Sequence, residues 1–383
     1  MTLPPLPKLP GSRLSAFMAL ALMAPLSHAD DLLQIYDAAR AYDPTYQSAL
    51  SAYDAAVQRV PQARAGLLPT VGLNASVTRY DYDSAYSTPA GSQSANQQYT
   101  TKQAGISATQ PLYRPANWVG LDQAKLSLQI AEAQRRQAEQ DLITRVAKAY
   151  FDVLSAQDTL TFTRAQKQAV AEQLASAKRN FEVGTSTITD SREAQARYDL
   201  VVAQEIAAQS DLEVKRTALQ QLIGKAPPEL KPLAPKPTLP SPVPSSMQDW
   251  QQLAEKGNLS ITQSQLAEEI AKRETDRAKD GHLPTVDLTA TVGTQRQGPT
   301  QFVPYSSRTN SNTIGITFNM PLFTGGATQA RVRETIALQD KAHNDLLAAE
   351  AGVAQGTRQA YVGVQSGLAQ VKALEAAELS SQS

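Results

Sequence analysis

The sequence predicts an α+β fold built as a tandem repeat of helix, strand, strand and long coiled-coil helix. Three observations support this prediction. An internal repeat divides the chain, four short runs alternate apolar and polar residues, and a long stretch nearly free of proline and glycine carries heptad spacing. Each observation predicts one kind of element, and the repeat fixes their order.

The internal repeat rests on two blocks that recur in the same order. Residues 65–78 (AGLLPTVGLNASVT) align without a gap with residues 280–293 (DGHLPTVDLTATVG), and residues 105–113 (GISATQPLY) align with 315–323 (GITFNMPLF). The repeating unit is about 210 residues long, far beyond the roughly 20–50 residues of a solenoid repeat. A tandem duplication is therefore predicted.

The alternating runs are about ten residues each, which is the length of a tilted membrane strand. A soluble antiparallel sheet with one buried face is the alternative. Because four strands cannot close a barrel, strands in lipid would require closure between several chains. The residues predicted to face lipid are Val71, Leu73, Ala75, Val77, Ala104, Ile106, Ala108, Val286, Leu288, Ala290, Val292, Ile314, Ile316, Phe318 and Met320.

Polar segments rich in Gly, Pro and Ser separate the paired strands and are predicted to be loops, at residues 81–99 and 298–311. Aromatic side chains lie in or beside them, and two interpretations remain open. They mark the membrane interface, or they are ordinary loop aromatics. The residues concerned are Tyr80, Tyr82, Tyr86, Tyr99, Phe302 and Tyr305.

The helical stretch from Asn117 to Glu182 contains no proline and a single glycine, Gly120. At about 1.5 Å per residue it would be roughly 100 Å long, which predicts a projecting coiled coil. Lys167 and Thr163 each interrupt one of its two heptad series. The two series are Val146, Val153, Leu160, Leu174 and Phe181, and Leu142, Ala149, Ala156, Val170 and Ala177.

A turn at residues 183–187 should end this helix, with Gly184 as a left-handed cap. Thr187 or Thr189, together with Asp190, can cap a return helix that runs to Ile223. An earlier helix is predicted from Leu32 to about Gly66, and another begins near Ala327. Residues 226–245, rich in proline, should form an extended linker.

The N-terminus has the features of a cleaved signal peptide over residues 1–29. Lys8 and Arg13 precede an apolar run of about a dozen residues, which is too short to span a membrane. Cleavage is predicted between Ala29 and Asp30. The remaining domains are then the first repeat at 30–225, the linker at 226–245 and the second repeat at 246–383.

Composition argues against several other functions. The chain has no cysteine and a formal net charge of zero, so no basic field is available to attract nucleic acid. His282 and His343 fall on different predicted elements, and no phosphate-binding loop or HExxH motif occurs. We therefore expect no catalytic residues, no metal site and no cofactor.

Several of these segments together resemble the TolC family of outer-membrane efflux proteins. The resemblance rests on AYDPTYQSALSAYDAAVQRVPQARAGLLPTVGL, on the QPLY and MPLF junctions, and on FEVGTSTITDSREAQARYD, and it covers residues 31–383. It implies a homotrimer in which strands close a twelve-stranded transmembrane barrel above a periplasmic helical tunnel. The implied function is a passive conduit across the outer membrane in efflux or type I secretion.

The implied partners are outer-membrane lipid, a periplasmic adaptor and an inner-membrane transporter of RND or ABC type. Carried over, the adaptor would contact the periplasmic tip formed by Val183, Gly184, Thr185, Thr187 and Asp190. Asp190 matches a family residue that helps to close the tunnel entrance, and a plain helix cap is its alternative role. The alternative function is a periplasmic adaptor with a coiled-coil hairpin of its own.

The second repeat departs from the family pattern. With an offset of about 211 residues, the counterpart of Val183 would fall near position 394, beyond Ser383. The second repeat is therefore expected to lack its tip and return helix. We expect a chain of this form to close poorly or to fail in export.

Overall fold

A computed structural model describes residues 31–89, 91–234, 239–300 and 303–382. The predicted signal peptide, its cleavage site between Ala29 and Asp30, and Phe302 lie outside these residues. The helices are α1 Leu32–Tyr42, α2 Pro44–Val57, α3 Arg59–Ala65, α4 Pro115–Glu182, α5 Ile188–Ile223, α6 Met247–Gly257, α7 Leu259–Lys279 and α8 Ala327–Gln382. The strands are β1 Thr70–Thr88, β2 Gly91–Tyr113, β3 Thr285–Gln297 and β4 Ser307–Asn319.

The long helix, its return helix and the helix from Ala327 are confirmed within two residues of the predicted bounds. The single helix predicted from Leu32 to Gly66 is wrong, because the chain forms α1, α2 and α3 there. Asp43 ends α1 with φ −48° and ψ 114°, as expected for a residue that precedes a proline. Pro61 cannot donate a backbone hydrogen bond near the break at Gln58.

All four strands of the described chain form one antiparallel sheet in the order β1-β2-β3-β4. The predicted loop at 81–99 is wrong, since β1 runs to Thr88 and β2 begins at Gly91. The second connection is shorter than predicted, because β4 already begins at Ser307. Met320 was predicted within a strand but follows the end of β4, where Pro321 cannot donate to the ladder.

The described residues divide into two compact units. The first contains 31–44 and 141–234, and the second contains 45–140 and 239–382. In the first unit, α1, the later part of α4, and α5 surround an apolar core. Its most deeply buried side chains are Ile35, Leu142, Val146, Val153 and Leu219.

The heptad seam of α4 is buried as far as Leu174, whereas Phe181 is exposed. Both polar interruptions of the seam have a structural reason. Lys167 Nζ donates to Glu205 Oε2 on α5 at 2.7 Å. The buried Thr163 hydroxyl donates to the Thr159 carbonyl at 2.8 Å. Polar residues at seam positions favour one register of a coiled coil. The Lys167–Glu205 pair has this effect because it joins α4 to α5.

The proline-rich segment after α5 is neither helix nor sheet strand over the described residues 226–234 and 239–245. In the first unit it is held by the Tyr150 hydroxyl, which donates to the Lys231 carbonyl at 2.7 Å. Leu230 beside it is buried. Along the described ranges of the chain, no helix is both long and apolar enough to cross a membrane.

Candidate functional sites in the sheet and the helical turn

The register of the sheet places all the predicted lipid-facing residues of the strands on one face. Residues directly opposite each other in a ladder point to the same side. Leu73 lies opposite Ile106, which lies opposite Val292, and Val286 lies opposite Phe318. None of the described residues covers this apolar face, and Leu73 is 79% and Ile314 76% exposed.

The other face of the same sheet is polar. Most of its side chains are hydroxyls and amides, with glycines at close-packed positions and the Asp287 carboxylate near the base. Gly105 is one such position, since an added Cβ would lie 3.2 Å from the Val292 carbonyl oxygen. The residues on this face include Asn74, Ser76, Gln103, Ser107, Asp287, Thr289, Thr291, Gln295, Ser311, Thr313 and Thr317.

The upper limit of the apolar face shifts by two residues on each successive strand. The last apolar residues are Val77 on β1, Ala104 on β2, Val292 on β3 and Ile314 on β4. Ala104 lies opposite Ala75, Val292 opposite Ile106, and Ile314 opposite Ala290. Each step is about 6.6 Å along a strand and about 4.8 Å across the sheet. Such a step corresponds to a boundary about 54° from the perpendicular to the strands. An oblique boundary is the pattern of tilted membrane strands, and this tilt is steeper than the usual 35–45°.

The tyrosines near the hairpin end are not on the apolar face. Tyr80 stacks on Tyr99 with ring centroids 5.0 Å apart, and on Tyr82 at 5.6 Å. The register places all three on the polar face, because Tyr80 lies opposite Tyr99. Of the two interpretations left open by the sequence, an interfacial girdle on the lipid side does not fit these residues.

An ion pair closes the base of the sheet, and sequence reasoning missed it. Arg114 donates from Nε to Asp287 Oδ1 at 2.9 Å and from Nη2 to Oδ2 at 2.6 Å. This bidentate geometry fixes the start of α4 against β3. The available signal in the sequence was Asp287, a single charged residue on the polar side of a predicted strand.

At the helical turn, two capping motifs adjoin one another. Gly184, with φ 79°, is the left-handed residue after α4. The Gly184 amide donates to the Phe181 carbonyl and the Thr185 amide to the Asn180 carbonyl, both at 2.9 Å. This is the Schellman arrangement. Glycine is favoured here because a side chain would be strained at this φ.

Thr187 and Asp190 form a capping box at the start of α5. The Thr187 amide donates to Asp190 Oδ2 at 2.8 Å, and the Asp190 amide donates to Thr187 Oγ1 at 3.3 Å. Hydrogen bonds from the Thr187 backbone, and then from its hydroxyl, hold the pKa of Asp190 below its usual value. Asp190 therefore has the capping role that the sequence allowed.

The predicted tip residues are brought together in this turn, and Val183 is exposed there. Beside it, α4 and α5 leave a shallow depression of about 190 Å³ lined by Val170, Gln173, Asp190, Glu193, Ala194 and Arg197. The Ser186 hydroxyl is buried without a hydrogen-bond partner among the described residues.

Charged side chains also link the helices within each unit. Glu205 accepts from Arg164 Nε at 3.3 Å and from Lys167 Nζ at 2.7 Å, and the Lys167 hydrogen bond is the main cause of its lowered pKa. In the second unit, Glu274 accepts from Gln123 and from Arg331. Burial raises the pKa of Glu274, but these hydrogen bonds outweigh it and the net direction is down. In the described residues, no cluster of His, Cys, Asp and Glu could hold a metal ion.

An amphipathic sheet with exposed apolar residues, followed by long helices joined at a capped turn, defines an outer-membrane channel subunit. Known proteins agree with this class. The family model described as "Outer membrane efflux protein" matches residues 35–225 and 250–383, so the chain belongs to the outer membrane efflux protein family. It is an outer-membrane channel protein of the kind that serves efflux or type I secretion.

Two relatives have the strongest bearing on this assignment. Outer membrane protein TolC of Escherichia coli (strain K12) is 32% identical over 391 residues, covering 99% of this chain and 75% of that protein. Alkaline protease secretion protein AprF of Pseudomonas aeruginosa is 30% identical over 351 residues, covering 90% of this chain and 72% of that protein. Neither supports the alternative of a periplasmic adaptor.

Solved structures share the fold. The outer membrane protein VceC of Vibrio cholerae aligns with a TM-score of 0.66 at 21% identity, over 90% of this chain and 80% of that one. The Campylobacter jejuni CmeC outer membrane channel aligns with a TM-score of 0.68 at 16% identity, over 97% of this chain and 83% of that one. These structures confirm the predicted fold class, and the family match with the two relatives confirms the predicted family, function and location.

Proposed function

We propose that three copies of this chain close a twelve-stranded barrel in the outer membrane and form a passive conduit for export. The oblique apolar limit of the sheet is the observation that supports this most directly. In the order β1-β2-β3-β4, β1 and β4 are edges. An open edge in hydrocarbon leaves backbone groups unpaired, so β4 of one copy would pair with β1 of the next.

We also propose the register of that interface, from the two-residue shift of the apolar limit between neighbouring strands. If the step continues past β4, Val77 of one copy lies opposite Ile316 of its neighbour. On the polar face, Ser76 would then lie opposite Thr317 of the neighbour. Within one chain the two strands are three strand spacings apart, about 14 Å, which is too far for a disulfide.

A cysteine pair tests the barrel. The chain has no cysteine of its own, so Ser76→Cys with Thr317→Cys should give disulfide-linked trimers in outer-membrane fractions on non-reducing gels. The control pair is Ser76→Cys with Ser107→Cys. Gly72 rather than Ser76 lies opposite Ser107, so these two sites are offset and should not cross-link. Absence of cross-links for Ser76 with Thr317 and with its near neighbours Gly315 and Asn319 would refute the trimeric barrel.

The polar face of the sheet would then line a hydrated path. Its hydroxyls, amides and glycines offer no nucleophile with an adjacent base, which suits a conduit without a catalytic step. Energy for transport would come from an inner-membrane transporter of RND or ABC type. Deleting the gene and measuring which substrate of a co-encoded transporter accumulates inside the cell tests the export role. Unchanged accumulation of every such substrate would contradict it.

The turn between α4 and α5 is our proposed contact for a periplasmic adaptor. Val183 is 72% exposed there, next to two capping motifs that hold the backbone in one conformation. Val183→Glu should weaken co-purification of the co-encoded adaptor about tenfold or more, because a charge would be buried at the contact. Val214→Glu on α5 is the control, since Val214 is similarly exposed. Equal adaptor recovery with both variants would exclude this contact.

Whether the channel exports small molecules or proteins depends on the inner-membrane transporter with which it works. One relative has a name referring to alkaline protease secretion, and we propose protein export as the first function to test beside small-molecule efflux.

The proposed cleavage of the signal peptide is tested on protein purified from the outer membrane. Mass spectrometry of the outer-membrane protein should find Asp30 as the first residue, and an intact residue 1–29 segment would contradict cleavage.

A further inference from the structure

Each strand of the described sheet has a basic residue beyond its last apolar residue, on the same face of the sheet and toward the hairpin end. Arg79 comes two residues after Val77, and Lys102 two residues beyond Ala104. Arg296 follows Val292 by four residues, and on β4 Arg308 lies six residues beyond Ile314. Chance placement does not readily give one cation per strand on one face and at one end.

Three of these cations form a continuous row across the sheet. Lys102 lies directly opposite Arg296, and Arg296 directly opposite Arg308. Side chains in such positions have Cβ atoms about 4.5–5.5 Å apart, and like charges there repel. We call Lys102, Arg296 and Arg308 the cationic row.

No acidic side chain in the described part of the chain forms an ion pair with the cationic row. The one hydrogen bond found for its side chains joins Arg308 Nε to the Thr294 hydroxyl at 3.4 Å. Asp81 lies on the same face but opposite Gln98, four residues further along β2 than Lys102. Gln98 also connects Asp81 to Arg79, at 3.1 and 3.2 Å. Arg79 is therefore linked to a carboxylate through Gln98, and no such link is found for the cationic row among the described residues.

The spread of the row in depth is close to the thickness of the headgroup layer. The row spans two strand spacings, about 10 Å, and at a tilt of about 54° this is about 8 Å along the membrane normal. The polar layer on one side of a bilayer is about 5–8 Å thick, from the difference between its total and hydrocarbon thickness.

We propose that the cationic row binds the phosphate groups of phosphorylated lipids in the outer leaflet, a site that rests on the membrane orientation proposed above. Phosphate oxygens between neighbouring cations offset their mutual repulsion and accept charge-assisted hydrogen bonds. Guanidinium groups suit this role because their donor forks match phosphate oxygens in pairs. The sheet forms a shallow depression of about 390 Å³ here, lined by all three members of the row with Ala75, Val77, Ala104 and Thr294.

The test measures lipid binding by the full chain purified from outer membranes in detergent. The probe is a bisphosphorylated lipid A in mixed micelles, compared with the same glycolipid after removal of both phosphates. The wild type should bind the phosphorylated lipid at least about tenfold more tightly. The triple variant Lys102→Gln, Arg296→Gln, Arg308→Gln should lose about a hundredfold, from roughly fivefold per basic residue at an anionic surface.

Matched variants separate a local site from net charge. Arg333→Gln, Arg358→Gln and Lys372→Gln remove the same charge from exposed positions of α8, and this triple should bind within about twofold of wild type. Arg296→Lys should retain most of the affinity, and Arg296→Gln alone should lose about fivefold. The single variants decide the question if the triple variant fails to reach the membrane.

Two results would overturn the proposal. One is equal affinity for the phosphorylated and phosphate-free lipids, or equal affinity of wild type and row variants. The other is full competition by millimolar inorganic phosphate, which would make this a site for free phosphate. The cysteine pair of Ser76 and Thr317 is measured on the same preparations. Cross-linked trimers without lipid selectivity would defeat this inference alone, whereas missing cross-links would defeat the barrel.

Discussion

The two hairpins of the sheet descend from one repeated unit, yet the first is much longer than the second. Strands β1 and β2 have 19 and 23 residues, whereas β3 and β4 have 13 each. Their apolar portions are alike, from Val71 to Val77 in the first hairpin and from Val286 to Val292 in the second. Most of the difference lies in the polar continuation, and at the base of the sheet β2 also extends four residues further than β4, from Gln110 to Tyr113.

Cross-strand polar pairs account for the longer hairpin. Beyond Arg79 the ladder is supported by the stacked tyrosines and by Asn96, whose amide donates to Asp83 at 2.6 Å. The second connection contains Pro299 and Pro304, which cannot donate ladder hydrogen bonds. Apolar alternation therefore fixes the length of the part that meets lipid, and polar pairing with proline placement fixes how far the strands continue.

The largest expected effect tests whether the apolar portions are equivalent. Leu73→Arg in the first hairpin and Ile316→Arg in the second should each cost about 2–4 kcal/mol, the cost of arginine on a lipid face near the bilayer centre. Urea titration of protein refolded into vesicles measures this cost.

The control for both arginine variants is Asn74→Arg, which lies on the polar face and should cost far less. If only one hairpin is destabilised, the two do not share one lipid-facing surface. If Asn74→Arg is as costly as Leu73→Arg, the two faces have been assigned the wrong way round.

A smaller effect is expected from breaking only the polar continuation. Gln97→Pro removes a backbone donor that faces β1, since Gln97 lies opposite Tyr82 and the carbonyl of Thr100, an odd number of residues away, faces β3. This change should raise amide exchange over residues 80–99 by up to about a hundredfold. Ser306→Pro, in the loop just before β4, is the control and should leave exchange in β3 and β4 nearly unchanged. Loss of outer-membrane insertion by Gln97→Pro would show that the continuation is needed for the membrane part.

These hairpins also show what the sequence could and could not predict. Alternation placed the predicted apolar strand residues from Val71 to Phe318 together on one face of the sheet, because alternate side chains of a strand point to the same side. It missed the continuation past Arg79, since hydroxyl, amide and tyrosine side chains are as common in loops as in paired strands. Whether such a segment is a loop or a paired strand depends on the strand opposite it.

The helices show the same division. Heptad spacing predicted the seam of α4, but not the reason for Lys167, whose partner Glu205 lies 38 residues away. The break after Asp43 could have been predicted from Pro44. A cap by Thr187 or Thr189 with Asp190 was predicted, and the structure has Thr187 at that position in a capping box. The Arg114–Asp287 pair spans 173 residues, and no local rule reaches it.

The stacked tyrosines should contribute less than the backbone ladder. Tyr99→Ala removes ring contacts with Tyr80 and Tyr82. Amide exchange over residues 80–99 should rise about threefold to tenfold, the range expected for aromatic pairs. Tyr305→Ala is the control in the second hairpin, because Tyr305 is exposed and in a loop. Equal changes in both hairpins would mean that the stack does not support the continuation.

The smallest expected effect concerns one side-chain pair. Asp83→Ala leaves the Asn96 amide without its acceptor, but both residues are exposed, so water replaces the lost bond. The cost should be about 0.5–1 kcal/mol, seen as a small rise in exchange near the hairpin end and no change in membrane insertion. Asn312→Ala, on the shorter hairpin, should have no measurable effect. A larger loss for Asn312→Ala than for Asp83→Ala would contradict the idea that polar pairing, rather than apolar alternation, sets the length of the first hairpin.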